Sequence, residues 1–134
     1  MTDDRSRSTL YLLLASATFV TALIHIRFVS EYFPDSPGRV APFLLAGWAT
    51  YAVVFYALGR LLSTPAALPS MRGGDVGAAL FLLSLLAAAG LDTLGFSPEV
   101  VPTAYTLPAI GIYSGLALVG WSIGKRTQAR HRLE

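Results

Sequence analysis

The residues best suited to chemistry lie in one stretch, Thr18 to Glu31, with the sequence TFVTALIHIRFVSE. This stretch places His25, Arg27 and Glu31 in an otherwise apolar run. Ionisable side chains cost free energy inside a membrane, and those that occur there commonly mark ion, proton or ligand sites. We therefore expect any specific site of this protein to lie near these three residues.

Helical phase separates the three residues. At 100° per residue, Thr18, Thr21 and His25 fall near one line of the helix. A polar stripe of this kind should face other helices, because polar groups find partners there and not in lipid. Arg27 and Glu31 point elsewhere and have the i, i+4 spacing of an ion pair near the headgroups. His25 is therefore the predicted inward-facing residue.

Depth adds Asp92 and Tyr105 to this candidate polar cluster. Counted from their predicted helix starts, His25 and Asp92 both lie 16 residues along, or about 24 Å at 1.5 Å per residue. Tyr105 should fall near the same level. Asp92 also precedes a helix C-terminus, where the helix dipole disfavours an anion. We expect a compensating partner for it, either His25, Arg27 or Arg39.

The predicted cluster of His25, Asp92, Arg27, Glu31 and Tyr105 has two interpretations. In the first, hydrogen bonds and ion pairs form a clasp that holds helices 1, 3 and 4 together. In the second, the cluster is a proton, ion or small-ligand site open to the outside. We favour the clasp.

Composition identifies the elements that position these residues. The chain has 134 residues, of which 54% are hydrophobic and 13% charged, against about 25% charged in soluble domains. No charged residue occurs in 40–59, 76–91 or 100–124. Helices of about 20 apolar residues span a bilayer. We predict an all-α fold, an integral membrane four-helix bundle with antiparallel up-down-up-down topology, as one membrane domain over residues 1–134. Its predicted helices are 9–30, 40–62, 76–94 and 98–123, followed by a basic tail, 124–134.

Turn and capping residues set the first predicted boundaries. Proline and glycine make 31–39 a turn through Pro34, Pro37 and Gly38, with Asp35 suited to a turn position. Pro42 then falls in the first turn of helix 2, where proline is tolerated. Helix 2 should end at 63–65, which contains a proline.

The second half has similar signals. Asp75 is a predicted N-cap of helix 3, and Gly95 should end that helix in a left-handed conformation. Residues 97–99, Ser-Pro-Glu, read as the start of helix 4. Pro108 would then lie inside helix 4 and kink it.

Charge sets the orientation. The N-terminal side of the predicted bundle holds eight basic residues against two, Arg27 and Arg39, on the other side. Cytoplasmic segments carry the excess of lysine and arginine. We therefore predict a multi-pass protein of the cell membrane with both termini cytoplasmic. The eight residues are Arg5, Arg7, Arg60, Arg72, Lys125, Arg126, Arg130 and Arg132.

Small residues indicate how the helices pack. Two glycine pairs with small-xxx-small spacing lie on nearly opposite faces of helix 4, and such pairs let helices approach closely in lipid. They can serve packing within the chain, which we favour, or a homodimer. Trp48, Tyr51 and Phe55 form an aromatic stripe on helix 2, which we interpret as core or lipid contact. The glycine pairs are Gly111 with Gly115 and Gly120 with Gly124.

Several functional classes lack their residues. The chain has no cysteine, which excludes disulfides and thiol chemistry. No nucleophile–base–acid set, phosphate loop or metal-ligand spacing is present, so we predict no enzyme, cofactor or metal site. The basic residues lie at helix ends and indicate membrane anchoring, not nucleic acid. The expected partners are the lipid bilayer and either a second copy of the chain or a larger membrane protein.

Two runs carry a family resemblance. Thr21-Ala-Leu-Ile-His-Ile is followed, after a turn, by Pro42-Phe-Leu-Leu-Ala-Gly47. These runs resemble a family of small, uncharacterised four-helix membrane proteins of halophilic archaea, over about the first 60 residues. The chain departs from the family at 27–29, where it has Arg-Phe-Val. The resemblance implies the fold and the membrane location and carries no activity.

We predict a small multi-pass membrane protein with an accessory or structural role. The alternative is a small transporter, channel or ligand-binding subunit that uses the polar cluster.

Overall fold

The computed structural model describes residues 2–33, 36–64 and 67–133, and in these it forms four long helices and no strand. All four are long and apolar enough to cross a membrane. The predicted all-α, four-helix fold is thus confirmed for the described chain. The helices are α1 (Thr2–Leu23, continued by a π-helical turn Ile24–Val29 and by Ser30–Tyr32), α2 (Pro37–Leu62), α3 (Arg72–Thr93) and α4 (Thr106–Leu133), with a 3₁₀ turn Pro102–Tyr105 before α4.

The helices alternate in direction. Leu10 near the start of α1 lies with Arg60 and Gln128 near the ends of α2 and α4, and Met71 before α3 lies with Arg126 of α4. We call this the terminal end. The opposite, distal end contains the end of α1, the start of α2, the end of α3 and the start of α4.

The spatial order of the helices differs from their order along the chain. α2 packs between α1 and α4, and α4 packs between α2 and α3. Within the described residues, no Cα atom of α3 comes within 8 Å of one in α1 or α2. The helices therefore lie in the order α1–α2–α4–α3, and α4 is the packing partner of α3.

The four glycines of α4 explain its central position. Gly111 and Gly115 face α3, while Gly120 and Gly124 face α2. A Cβ atom at Gly115 would lie 2.5 Å from the carbonyl oxygen of Gly77 in α3, so only glycine permits this approach. Both pairs are thus occupied by packing within the chain, one against each neighbour.

The most deeply buried positions are alanines, and many large apolar side chains face outward. Ala57 and Ala129 are fully buried, whereas Leu86 is 68% and Leu107 is 76% exposed. Close packing through small residues, with large apolar residues outside, is the pattern of helices that associate in lipid.

Helix α4 begins eight residues later than predicted, so the predicted start at 97–99 is wrong. Val101 has φ −133° and ψ 73°, because the ring of Pro102 excludes the residue before it from the α region. The predicted kink at Pro108 is also wrong, since this proline falls in the first turn of α4, where its missing N–H costs little. Conversely, α2 begins at Pro37, which puts Pro42 inside the helix rather than in its first turn.

Other boundaries complete the comparison. Gly95 ends α3 as predicted, with φ +94°; its N–H bonds the Asp92 carbonyl at 3.1 Å, and the Phe96 N–H bonds the Leu91 carbonyl at 2.9 Å, which is a Schellman motif. Asp75 is not the N-cap, because α3 starts at Arg72 and Asp75 lies in its first turn. The basic tail is helical to Leu133. The predicted turn residues Pro34, Asp35 and Pro65 lie outside the described residues.

Candidate functional site

His25 lies in the π-helical turn of α1, which the sequence analysis did not predict. The Ser30 N–H bonds the carbonyl of His25, five residues back, and this spacing defines the turn; such turns are frequent at functional sites. Gly47 of α2 faces the imidazole ring, because a Cβ atom there would lie 2.7 Å from Cε1 of His25. The glycine therefore lets the ring enter between the helices.

Both ring nitrogens of His25 have partners. Nδ1 lies 2.9 Å from the Thr21 carbonyl oxygen, and Nε2 lies 2.5 Å from the Tyr113 hydroxyl. A carbonyl can only accept, so Nδ1 carries the proton in the neutral ring and Nε2 accepts from Tyr113. The Trp48 indole N–H donates to the same hydroxyl at 3.2 Å. We call these four residues the His25 network.

The surroundings complete this arrangement. The Thr21 hydroxyl donates to the Thr50 hydroxyl at 2.8 Å, which donates to the Gly47 carbonyl at 3.0 Å. The Tyr51 ring meets the Tyr113 ring edge-on at 5.0 Å. The His25 network joins α1, α2 and α4, whereas the predicted clasp joins helices 1, 3 and 4, so α2 takes the place expected for α3.

The other residues of the predicted cluster lie apart from His25. Arg27 and Glu31 form an exposed ion pair with each other. Asp92 is exposed and lies near Tyr105, together with Glu99. Within the described residues, no hydrogen bond or ion pair links His25 to any of the four other cluster members. A functional role for the whole cluster stays a prediction.

Sequence reasoning missed Tyr113 and assigned Trp48 to a stripe of core or lipid contacts. The available signal was the position of Tyr113 on α4, two helical turns beyond Tyr105 and among the packing glycines. A single tyrosine hydroxyl within an apolar span needs a hydrogen-bond partner. His25 was predicted to face inward, and it also needed a hydrogen-bond partner.

An apolar cavity of about 360 Å³ adjoins the network at the distal end. Trp48 and Tyr113 form part of its wall, and Tyr105 lies two turns nearer the loops. None of the lining residues that the structure describes is charged. The Tyr105 hydroxyl is buried and has no hydrogen-bond partner in the described chain. The remaining wall is formed mainly by aliphatic side chains, including Leu44, Leu85, Ala88 and Ile112.

This combination has the features of a small-molecule site. Ligand pockets typically measure about 300–1,000 Å³ and are mostly apolar, with a few polar groups that orient the ligand. Here the polar group left for a ligand is the Tyr105 hydroxyl, because the Trp48 indole N–H and the Tyr113 hydroxyl proton are already used within the His25 network. In the part of the chain that the structure describes, no group of three His, Cys, Asp or Glu residues could hold a metal ion.

No protein-family model, curated protein or solved structure matches this chain.

Proposed function

We propose that the chain is a multi-pass protein of the cell membrane with both termini in the cytoplasm, and that its distal cavity binds a neutral, largely apolar ligand. It acts as a non-enzymatic accessory protein, alone, as a homodimer or beside a larger membrane protein. Kinship with the halophilic archaeal family belongs to the same proposal.

The exposed surface supports the membrane assignment. Large apolar side chains point outward on every helix, among them Leu12 and Phe19 of α1 and Leu45 of α2, each more than 60% exposed. Soluble monomers rarely expose apolar patches of more than a few hundred Å². Four spans of sufficient length and hydropathy support the same assignment.

Charge supports the orientation. All eight basic residues of the predicted cytoplasmic side lie in or beside the terminal end, whereas Arg27 and Arg39 lie at the distal end. Short loops and helix ends rich in lysine and arginine stay in the cytoplasm. The cavity and the His25 network then face the outer half of the bilayer.

The cavity carries the ligand proposal, and one atom makes it specific. A buried hydroxyl without a partner costs about 1–3 kcal/mol, and the Tyr105 hydroxyl is such a group. A ligand oxygen would supply the partner. The described lining residues carry no charge, which favours a neutral ligand, because a charged one would lie unpaired among them.

The His25 network has a supporting role in this proposal. It fixes Trp48 and Tyr113, which form part of the cavity wall, through one bond from α1 to α4 and one from α2 to α4. The network thus acts as a clasp that holds the cavity wall in one conformation. This role agrees with the favoured structural interpretation of His25.

Tryptophan fluorescence tests the proposal. The chain has two tryptophans, so Trp121→Phe leaves Trp48 as the single reporter at the cavity. We expect 11-bromoundecanol to quench it saturably in nanodiscs. Ala88→Leu should abolish the saturable part by filling the cavity, whereas Ala87→Leu, at an exposed neighbouring position, should not.

Tyr105→Phe gives the finer readout. It should weaken binding of the bromoalcohol about 3–10-fold, the loss of one hydrogen bond, and leave 1-bromododecane unaffected. Two results together would contradict the ligand site. Quenching would rise linearly with the concentration of either probe in the lipid, and it would be equal in the Ala88→Leu and Ala87→Leu proteins.

A further inference from the structure

Arg60 lies at the tightest part of the α2–α4 contact. A Cβ atom at Gly59 would lie 2.5 Å from the Trp121 carbonyl oxygen, and one at Gly124 would collide with the backbone of Tyr56. The two helices therefore touch through their backbones beside Arg60. The guanidinium of Arg60 consequently lies between α2 and α4 at the terminal end.

The guanidinium is only partly satisfied there. Nε donates to the Gln128 side-chain oxygen at 3.2 Å, and Nη1 reaches the Tyr56 hydroxyl at 3.5 Å. Nη2 is buried and has no partner in the described chain. Across the described residues, the one ion pair is Arg27 with Glu31, so no carboxylate of that part of the chain neutralises Arg60.

Further donors surround this group. A small polar pocket of about 30 Å³ is lined by Ser6, Arg7, Leu10, Arg60, Gln128 and Arg132. It brings together three guanidinium groups, a hydroxyl and an amide, and none of its described lining residues is an acid. Arg60 is half-buried, Arg7 and Arg132 are exposed, and three positive groups this close together repel one another. This pocket is therefore incomplete without an anion.

We propose that this pocket binds a phosphate group, supplied by the headgroup of an anionic lipid. Arginine forks match phosphate oxygens in pairs of parallel hydrogen bonds, and Nη2 of Arg60 offers a donor in place. The pocket lies where the apolar spans of α1 and α2 end, at the level of the headgroups. Basic residues at this level attract anionic lipids.

The position of the pocket favours a lipid headgroup. A volume of about 30 Å³ is that of about one water molecule, so a phosphate group would place one oxygen among the guanidinium groups and the rest at the mouth of the pocket. Leu10 lies beside the pocket, and its neighbours on α1 are exposed apolar residues, Tyr11 and Leu12. A lipid bound by its phosphate can lay its chains along this face. The site is at the opposite end from the cavity and does not depend on the ligand proposed there.

The test compares Arg60→Gln with Arg72→Gln in the full chain. Arg72 is an exposed arginine at the same end and lines none of the pockets described above, so it controls for surface charge. Each protein is placed in phosphatidylcholine nanodiscs with and without phosphatidylglycerol, and its thermal unfolding is followed at 0.15 and 0.5 M NaCl. Native mass spectrometry counts the phosphatidylglycerol molecules that stay bound.

We expect phosphatidylglycerol to raise the unfolding temperature of the native and Arg72→Gln proteins by roughly 5 °C per tenfold excess over the dissociation constant. The rise should persist at 0.5 M NaCl, since a pocket is screened less than exposed charges. Arg60→Gln should lose the rise and one tightly bound lipid. The exposed double variant Arg7→Gln/Arg132→Gln, which leaves the helix contacts intact, should bind the lipid at least tenfold more weakly.

Two results would overturn the proposal. One is a lipid-dependent rise that is equal in the Arg60→Gln and Arg72→Gln proteins. The other is a rise that vanishes in all proteins at 0.5 M NaCl. Inorganic phosphate, added to the detergent-solubilised protein, separates the sources: if it reproduces the Arg60-dependent rise at millimolar concentration, the site is a phosphate site whose ligand is the free ion and the lipid assignment is wrong.

Discussion

The His25 network at the distal end and Arg60 at the terminal end treat buried polar groups in opposite ways. At the distal end, His25, Tyr113 and Trp48 satisfy one another across three helices. At the terminal end, Arg60 contacts Gln128 and Tyr56, but one of its buried nitrogens has no partner among the described residues. A closed network needs nothing from outside the chain, while an open one requires a ligand to complete it.

This difference separates two kinds of polar residue in an apolar protein. Neutral groups such as imidazole, hydroxyl and indole can each be both positioned and satisfied by one or two neighbours. A guanidinium has five donors and a positive charge. Gln128 and Tyr56 accept one hydrogen bond each from Arg60 and carry no negative charge. We therefore expect substitutions at the distal network to cost stability under all conditions, and those at Arg60 to act through the anion.

The largest effect should come from His25→Leu. It leaves the Tyr113 hydroxyl proton without its acceptor, and an unsatisfied buried group costs about 1–3 kcal/mol. We expect the unfolding free energy in detergent to fall by about 2 kcal/mol, with or without anionic lipid. A change of less than 0.5 kcal/mol would show that the network is not a clasp.

Gly47→Ala should have the next largest effect, about 1–2 kcal/mol of destabilisation, because the new methyl group would displace the His25 ring. The control is Gly90→Ala in α3, where a Cβ atom would meet nothing within 4 Å and alanine favours the helix by about 0.5–1 kcal/mol. Equal effects at the two glycines would argue against the fitted position of His25.

A double-mutant cycle distinguishes the observed partner of His25 from the one expected from sequence. His25→Leu with Tyr113→Phe should show a coupling energy of about 1 kcal/mol, typical of a bond between membrane helices. His25→Leu with Asp92→Asn should be additive within about 0.3 kcal/mol, as for residues without shared partners. Coupling to Asp92 of similar size would restore the predicted cluster.

The smallest effect should come from Arg60→Met in purely zwitterionic lipid. Replacing an unpaired buried charge by an apolar chain of similar length is often neutral or stabilising. We expect a change within about 0.5 kcal/mol there, and a clear deficit relative to the native protein once phosphatidylglycerol is present. A large loss in zwitterionic lipid would mean that Arg60 is satisfied within the chain.

The sequence predicted the four helices because long apolar runs are a direct signal, and it predicted Gly95 because a left-handed residue ends a helix there. Helical phase alone also predicted that His25 faces the other helices. These features depend on local chemistry, which a single sequence contains.

The partner of His25 was missed because of one helix start. His25 lies seven residues before the end of α1 at Tyr32, and Tyr113 lies seven residues after the start of α4 at Thr106. The predicted start at Pro98 puts Tyr105 in that place instead. The eight-residue error is about 12 Å along the helix, and its cause is the extended residue that Pro102 imposes.

Asp92 was misplaced for a related reason. It lies one residue before the end of α3, so it is nearer the distal loops than His25 by six residues, about 9 Å. The order α1–α2–α4–α3 adds lateral separation, and no local signal in the sequence specifies that order. The π-helical turn was missed because no proline or glycine lies in 24–29 to mark it.

That order also bears on how the chain is made. During synthesis α1 and α2 can pair as soon as both have left the ribosome, since domains and their parts form from the N-terminus onward. α3 then emerges beside helices that offer it one ring contact, Trp48 with Phe81, and no backbone groove. The close contacts of α3 include those of Gly77 with Gly115 and of Ser84 with Gly111. They form only when α4 has been made. A chain that stops before residue 106 would therefore leave α3 without its packing partner. We expect cellular proteases to degrade such a chain.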